Sequence, residues 1–262
     1  MNEDLNKIKD LLLKYVELIK NEYPESKAER VESDLEDGKE IVRFNDKNTL
    51  SFLCVNGQLL LPKVAYDLFP ILRQNELYGT NKNNRRDVSQ YLDTDTTYFD
   101  YINHLLVAGL SEYDYFEESL LHETMHLCGS GGGIPLEEGI NDLKTRELAQ
   151  KQGIKIAGYA YSKEVEIAKQ LQDILGKDIM DELTFTPSSK RFNYLYEKLG
   201  EEKANLYKNV SRKMIEESSN FFKTAYKTDN PFEKAKLYDE IDYSGTYTII
   251  DNYKQTNYEQ TL

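Results

Sequence analysis

The N-terminal segment carries apolar residues at intervals of three and four: Leu5, Ile8, Leu12, Tyr15, Val16 and Ile19. This spacing places them on one side of a helix, so the pattern predicts an amphipathic helix that packs on a core. The residues that follow, 24–40, are polar and charged, which is typical of a connector. A β-rich section is therefore expected to begin near Ile41.

Two short apolar runs, residues 49–55 and 58–61, lie on either side of Asn56-Gly57. Asn-Gly readily adopts the positive φ angles of a tight hairpin turn, so the pattern predicts a β-hairpin. Residues 73–97 are rich in Asn, Asp and Thr, which indicates a solvated surface loop rather than a binding element. The N-terminal part of the chain is thus expected to contain a small sheet.

Helical periodicity dominates the rest of the chain. Residues 98–108 and 115–127 are predicted to be helices, and the glycine-rich run 129–133 must end the second one. Pro135 suits the first turn of the next helix, which should continue until Gly153.

Another helix is predicted over residues 163–175, where Gly176 would end it. Beyond it, apolar and aromatic residues recur at helical spacing: Phe192, Leu195, Leu199, Met214, Phe221 and Phe222. The C-terminal half is therefore expected to be rich in α-helix.

Composition and charge narrow the classes of function. The formal net charge is −13 and no stripe of Lys and Arg offsets it, so nucleic-acid binding is not expected. No apolar run approaches the roughly 20 residues of a membrane span. The acidic first residues carry no secretory signal, and Cys54 and Cys128 are too few for a disulfide framework. These features favour a cytoplasmic protein.

The clearest chemical signal is the run His122-Glu123-Thr124-Met125-His126. Four residues advance a helix by about 400°, so the two histidines project from one face and can chelate a metal ion. Neutral imidazoles are the usual zinc donors, and a Glu beside the first of them can take a proton from a water activated by zinc. The motif therefore predicts a Zn²⁺ site with Glu123 as the general base.

A catalytic zinc needs a third protein ligand, and no histidine lies downstream of His126. The third ligand should therefore be acidic, and Glu138 lies at the start of the next predicted helix. Asp142 is four residues further on and shares the same face. It could accept the second N–H of a ligating histidine and fix the tautomer of the ring.

The run from His122 to His126, followed by Glu138-Gly139-Ile140-Asn141-Asp142, resembles the gluzincins, which are HExxH metallopeptidases with a Glu from a following helix as third ligand. The resemblance covers chiefly residues 115–175. The linker between His126 and Glu138 is shorter than in the familiar aminopeptidase and thermolysin-like members. Glu137 therefore stays open as an alternative ligand.

This resemblance implies a zincin-like α+β fold with a substrate cleft between two lobes. A small mixed-sheet lobe, residues 1–130, would carry the HExxH helix, and a mainly helical lobe, residues 131–262, would carry the third ligand. Gluzincins commonly stabilise the reaction's oxyanion with a Tyr or His of the second lobe. Tyr159 and Tyr161 are the candidates here, although packing is the alternative role in a chain with 20 tyrosines.

Two other residues near this region are expected to have structural roles. His104 lies among apolar residues, where a core histidine with one hydrogen bond is more common than a ligand. Cys128 comes two residues after His126, so it should point away from the chelating face and pack as a thiol.

The sequence thus predicts a zinc metallopeptidase that acts on peptides or proteins. One alternative is a zinc-stabilised interaction protein without catalysis, although such a site would not need Glu123. Another is a metal-free helical protein in which the HExxH run is accidental. The substrate, the cleavage specificity and the oligomeric state do not follow from the residues.

Overall fold

A computed structural model of the chain describes residues 2–45, 53–62, 112–129, 133–156, 161–225 and 236–259. Helix accounts for 78% of these residues, and the three strands within them form one small mixed sheet. This content is compatible with the α+β class that the resemblance implies.

The N-terminal helix is present as expected, and a second helix follows it. Helix α1 spans Asn2–Glu22 and buries the apolar stripe that begins at Ile8. Helix α2 spans Ala28–Glu36, so the prediction of a connector over 24–40 is wrong. It buries Ala28 and Val31, and Leu35 packs partly buried against the same cluster. Three apolar residues among charged ones in a nine-residue helix are a weak helical period in sequence.

The sheet begins where expected. Strand β1 is Val42–Asn45, β2 is Leu53–Val55 and β3 is Gln58–Pro62, in the order β1-β3-β2. Strand β1 pairs in parallel with β3, and β2 pairs with it antiparallel. The predicted hairpin is confirmed for residues 53–62, where Asn56 and Gly57 turn with φ angles of 53° and 75°. The first residues of its predicted first strand, 49–52, lie outside the described part.

Helices α3 and α4 frame the glycine-rich run, as the sequence predicts. Helix α3 spans Glu112–Cys128 and contacts α1, α2, β2 and β3. Helix α4 spans Pro135–Gln152, with proline in its first turn. It ends at Gly153, whose φ of 65° lies in the left-handed region that closes helices.

The described C-terminal residues are mostly helical, which confirms that prediction for them. The remaining helices are α5 Ser162–Leu175, α6 Lys177–Phe185, α7 Ser188–Leu199, α8 Glu201–Ala225 and α9 Ser244–Glu259. No helix in the described ranges combines the length and apolar character needed to cross a bilayer. The predicted loop 73–97, the predicted helix 98–108 and His104 lie outside the described residues.

Buried apolar side chains form two clusters. The first joins α1, α2, the sheet and α3, and the second joins α4 to α9. Helix α4 contributes to both, because Leu148 and Ala149 belong to the first cluster and Leu136 and Ile140 to the second. Helix α4 thus connects the part that carries the two histidines with the C-terminal helices. The division at residue 130 remains a prediction.

Helices α4 and α5 approach so closely at Gly139 that no side chain fits there. A Cβ atom at this position would lie 2.5 Å from the carbonyl oxygen of Glu164 and 2.7 Å from its Cβ. The neighbour is largely backbone and cannot move aside. Gly139 therefore sets the distance between the two helices.

We expect Gly139→Ala to lower the free energy of unfolding by about 1–3 kcal/mol, because the added methyl group forces α4 away from α5. Urea unfolding of the metal-free chain measures this change. Gln150→Ala, at an exposed position of the same helix, is the matched control and should change stability by less than about 0.5 kcal/mol. Equal stability of the two variants would contradict the close approach.

Candidate metal centre

Three side chains from α3 and α4 converge on one point. The Nε2 atoms of His122 and His126 lie 3.2 Å apart. The Oε2 atom of Glu138 lies 3.3 Å from Nε2 of His122 and 3.0 Å from Nε2 of His126. All three residues are buried. The two predicted histidines and the predicted acidic residue are therefore brought together.

The size of this triangle fits a metal ion. Zinc bonds of about 2.0–2.1 Å at tetrahedral angles place neighbouring donor atoms about 3.3–3.4 Å apart. The measured separations of 3.0 to 3.3 Å match one face of such a tetrahedron. Among the described residues, His122, His126 and Glu138 form the group that could hold a metal ion. Two nitrogens and one carboxylate are a donor set that suits Zn²⁺.

The ring of His122 is held from its other side. Its Nδ1 lies 3.2 Å from Oδ1 of Asp142, which is 1% exposed. With the Nδ1 proton directed at Asp142, a neutral ring carries its lone pair on Nε2, toward the triangle. The side chain of Asn141 also donates to the carbonyl oxygen of His122 over 3.1 Å, which joins α4 to the backbone of α3. Asp142 therefore stands where the sequence predicts an orienting carboxylate.

The second carboxylate oxygen of Glu138 is also fixed. The backbone N–H of Gly133 donates to Oε1 over 2.7 Å, so only Oε2 is left for the histidines. Gly133 has a φ of 104°, a conformation that favours glycine. The end of the glycine-rich run thus orients the acidic member of the triangle.

Charge distribution in the triangle also favours a cation. Burial raises the pKa of Glu138, but hydrogen bonds from His122 and His126 outweigh it and hold that pKa far below its usual range. Burial lowers the pKa of His122, but the contacts with Asp142 and Glu138 raise it by more, so this pKa lies well above its usual value. Without a metal, a protonated His122 forms an ion pair with Glu138. A divalent ion would replace the imidazole protons, as metal binding generally does.

Glu137 does not join the triangle. Its Oε1 pairs with Nη1 of Arg191 over 2.9 Å, and both side chains are 4% exposed. Arg191 also donates to the carbonyl oxygen of Thr186 and to the hydroxyl of Tyr207. Neighbouring residues of a helix point about 100° apart, so Glu137 and Glu138 cannot face the same site. The geometry favours Glu138 as the ligand.

Glu123 lies half-buried between the triangle and the sheet. Its carboxylate accepts a hydrogen bond from the backbone N–H of Cys54 in β2. The pKa of Glu123 is raised overall, and the largest cause is burial. The two histidines and the Cys54 N–H lower this pKa, whereas the charge of Glu138 raises it. A carboxylate with a raised pKa next to two candidate metal ligands suits proton transfer near neutral pH.

Tyr161 lies against the site. Its ring stacks on the His122 ring, with 5.6 Å between centroids and 17° between planes. The pKa of Tyr161 lies well above its usual value, chiefly because of the nearby charge of Glu138 and then because of burial. The charges of Glu123, Asp142 and Glu164 add to the rise. The hydroxyl therefore keeps its proton and remains a donor. The other candidate, Tyr159, falls outside the described residues.

The position of Tyr161 is fixed by the residues that follow it. Tyr161 has a φ of 51°, which is unusual for a residue other than glycine. Glu164 is buried and accepts hydrogen bonds from the hydroxyls of Tyr238 and Tyr243, at 2.5 and 2.6 Å. Lys163 donates to the carbonyl oxygens of residues 238, 239 and 241. The first turn of α5 is therefore fastened to the segment that precedes α9.

Some residues that support the site were not found from sequence. Arg146 bonds to Asp142, and its only sequence signal is a position four residues further along the same helix. Lys27 contacts the end of α3, where its backbone N–H donates to the carbonyl of Cys128 and its ammonium to that of Gly129. No local pattern links residue 27 to residue 129. The Cys128 thiol is buried, which confirms its predicted packing role.

Comparisons with known protein families, with curated proteins and with solved structures find no match to this chain. The chemistry of the site therefore has to follow from its own residues and their geometry.

We expect Glu138→Gln to weaken Zn²⁺ binding by at least about 100-fold, because a neutral amide replaces the anionic ligand; loss of an outer-shell partner alone costs about 10–100-fold. The adjacent variant Glu137→Gln should keep zinc affinity within a few-fold while it destabilises the fold through Arg191. Competition with a chromophoric chelator measures both affinities. If Glu137→Gln instead weakened Zn²⁺ binding more than Glu138→Gln did, Glu137 would be the ligand.

Proposed function

We propose that this protein is a zinc-dependent metallopeptidase of the gluzincin type. The observation that carries the proposal is the buried triangle of His122, His126 and Glu138, with the Glu123 carboxylate beside it. The same residues carry the sequence resemblance, and their supply by two successive helices, α3 and α4, agrees with the arrangement that the resemblance implies. Zn²⁺ is the proposed cofactor, and a peptide or protein is the proposed substrate.

A catalytic role for the metal fits better than a structural role. Structural zinc sites are closed by four protein ligands, whereas catalytic sites use three and leave one position open. The group within the described residues offers three donor atoms. Glu123 is not among them, and a structural site has no use for an additional half-buried carboxylate.

Each residue of the site has a role in hydrolysis. When bound, Zn²⁺ would lower the pKa of a water toward 7 and polarise the carbonyl of the scissile bond. Glu123 takes the proton of the attacking water and passes it to the leaving amine. Tyr161 donates its hydroxyl proton in a hydrogen bond to the oxygen on which negative charge develops. Asp142 keeps the His122 ring in the orientation that binds the metal.

An extended peptide suits the geometry beside Glu123. Strand β2 is one of the two outer strands of the sheet among the described residues. Because the N–H of Cys54 donates to Glu123, this backbone group points toward the site rather than into the sheet. A peptide in β conformation can align with such an edge and bring a peptide bond near the carboxylate. This feature favours a peptide over a small ester or amide.

We expect Glu123→Gln to lower kcat/KM by at least about 10²-fold, because the amide cannot take the proton of the attacking water. Cleavage of a diverse peptide library by the zinc-loaded chain, followed by mass spectrometry, measures the activity. Zinc content should remain one ion per chain in this variant.

The matched control is Glu216→Gln, an exposed glutamate on α8, which should cleave like the wild type. Equal processing of every peptide by wild type and Glu123→Gln would rule out the proposed mechanism. Bound zinc without any cleavage by the wild type would instead favour a zinc-stabilised interaction protein.

We expect Tyr161→Phe to lower kcat by about 10²-fold with little change in KM or in zinc affinity, because it removes one donor to the oxyanion and keeps the stacked ring. Steady-state kinetics on a peptide from the library measures this effect. If Tyr161 only packs against His122, the phenylalanine variant will retain full activity.

A further inference from the structure

Helix α4 carries two acidic residues and one arginine along one face. Glu138, Asp142 and Arg146 follow each other at intervals of four, so they lie one above the next on the helix. Glu138 contacts both histidines, Asp142 contacts His122, and Arg146 contacts Asp142. The row therefore runs from the candidate metal position outward to a guanidinium group.

Each oxygen of Asp142 has a separate partner. Oδ1 faces Nδ1 of His122 at 3.2 Å. Oδ2 accepts from Nε of Arg146 at 2.8 Å and lies 2.6 Å from its Nη2. Two nitrogens of the guanidinium thus hold Oδ2 while the imidazole faces Oδ1, and partners on both oxygens fix the rotation of the carboxylate as well as its position. Because the carboxylate cannot rotate freely, Oδ1 remains aimed at the histidine.

This ion pair differs from the surface pairs of the chain. Arg212 and Glu216 on α8 have the same four-residue spacing, but they are 74% and 55% exposed and lie 3.7 Å apart. Such pairs contribute little to stability. Asp142 and Arg146 are 1% and 20% exposed at 2.6 Å. A buried carboxylate that lost its guanidinium would have to turn toward water or another donor, which would release His122.

We propose that Arg146 is a positioning residue of the metal centre, which locks Asp142 so that His122 presents Nε2 to the ion. The inference rests on the proposed metal site and adds to it a residue outside the triangle of His122, His126 and Glu138. The proposed route from Arg146 to the metal passes through Asp142. A loss of Arg146 should therefore matter only while Asp142 is present.

Zinc affinity tests this inference without any need for a substrate. We expect Arg146→Ala to weaken Zn²⁺ binding by about 10-fold in competition with a chromophoric chelator, at the lower end of the range for outer-shell partners. Arg146→Lys should recover part of the loss, because lysine keeps the charge but not the planar fork. Arg212→Ala is the matched control and should bind zinc like the wild type.

A double-mutant cycle separates positioning from general destabilisation. Asp142→Ala should weaken zinc binding by about 10–100-fold, and Arg146→Ala added to it should cause no further loss. The absorption bands of the Co²⁺-loaded chain should shift in Arg146→Ala and stay unchanged in Arg212→Ala. If metal-free Arg146→Ala does not fold, as circular dichroism would show, Arg146→Gln and Arg146→Lys replace it in the cycle.

The possible results distinguish an error in the proposed role of Arg146 from an error in the proposed metal centre. If the wild type binds zinc and the Arg146 variants bind it equally well, the role of Arg146 is wrong. If Arg146→Ala causes the same loss with and without Asp142, its effect does not pass through Asp142 and the inference is again wrong. If the wild type binds no zinc, the proposed metal centre itself is wrong.

Discussion

Two imidazole nitrogens and one carboxylate oxygen face each other about 3 Å apart inside the protein, and because their lone pairs repel, protons or a cation must lie between them. Protons on the histidines can fill this role, as can a divalent ion. The separations match one face of a zinc tetrahedron, and the carboxylate comes from a different helix than the histidines. The packing of α4 against α3 therefore decides whether the site exists at all.

Several contacts hold the three atoms in place from outside. Gly133 fixes one oxygen of Glu138, and Asp142 fixes the His122 ring. Tyr161 covers the other face of that ring, and Glu164 anchors the helix that follows Tyr161. These partners come from the glycine-rich run, from α4 and from the start of α5. A site supported from three sides is preorganised, so an ion that bound there would cost little ordering entropy.

The sequence predicted elements well where the deciding signals are local. Pro135 and Gly153 mark the ends of α4 because proline suits a first helical turn and glycine takes the left-handed conformation of a helix end. Asn56-Gly57 marks the hairpin for a similar backbone reason. The prediction failed at α2, because that helix is short and only three of its residues, Ala28, Val31 and Leu35, are apolar. Its stability comes from packing on α1 and α3, which a local pattern does not contain.

By itself, the sequence determined that His122 and His126 share a helix face, because a separation of four residues fixes direction within one helix. It also limited the third donor to the acidic pair that opens α4. Only the tertiary structure decided between them, by pairing Glu137 with Arg191 and turning Glu138 to the histidines. It alone brought Tyr161 to His122 and the N–H of Cys54 to Glu123. Such contacts depend on how separate elements pack, and periodicity along the chain carries no information about that.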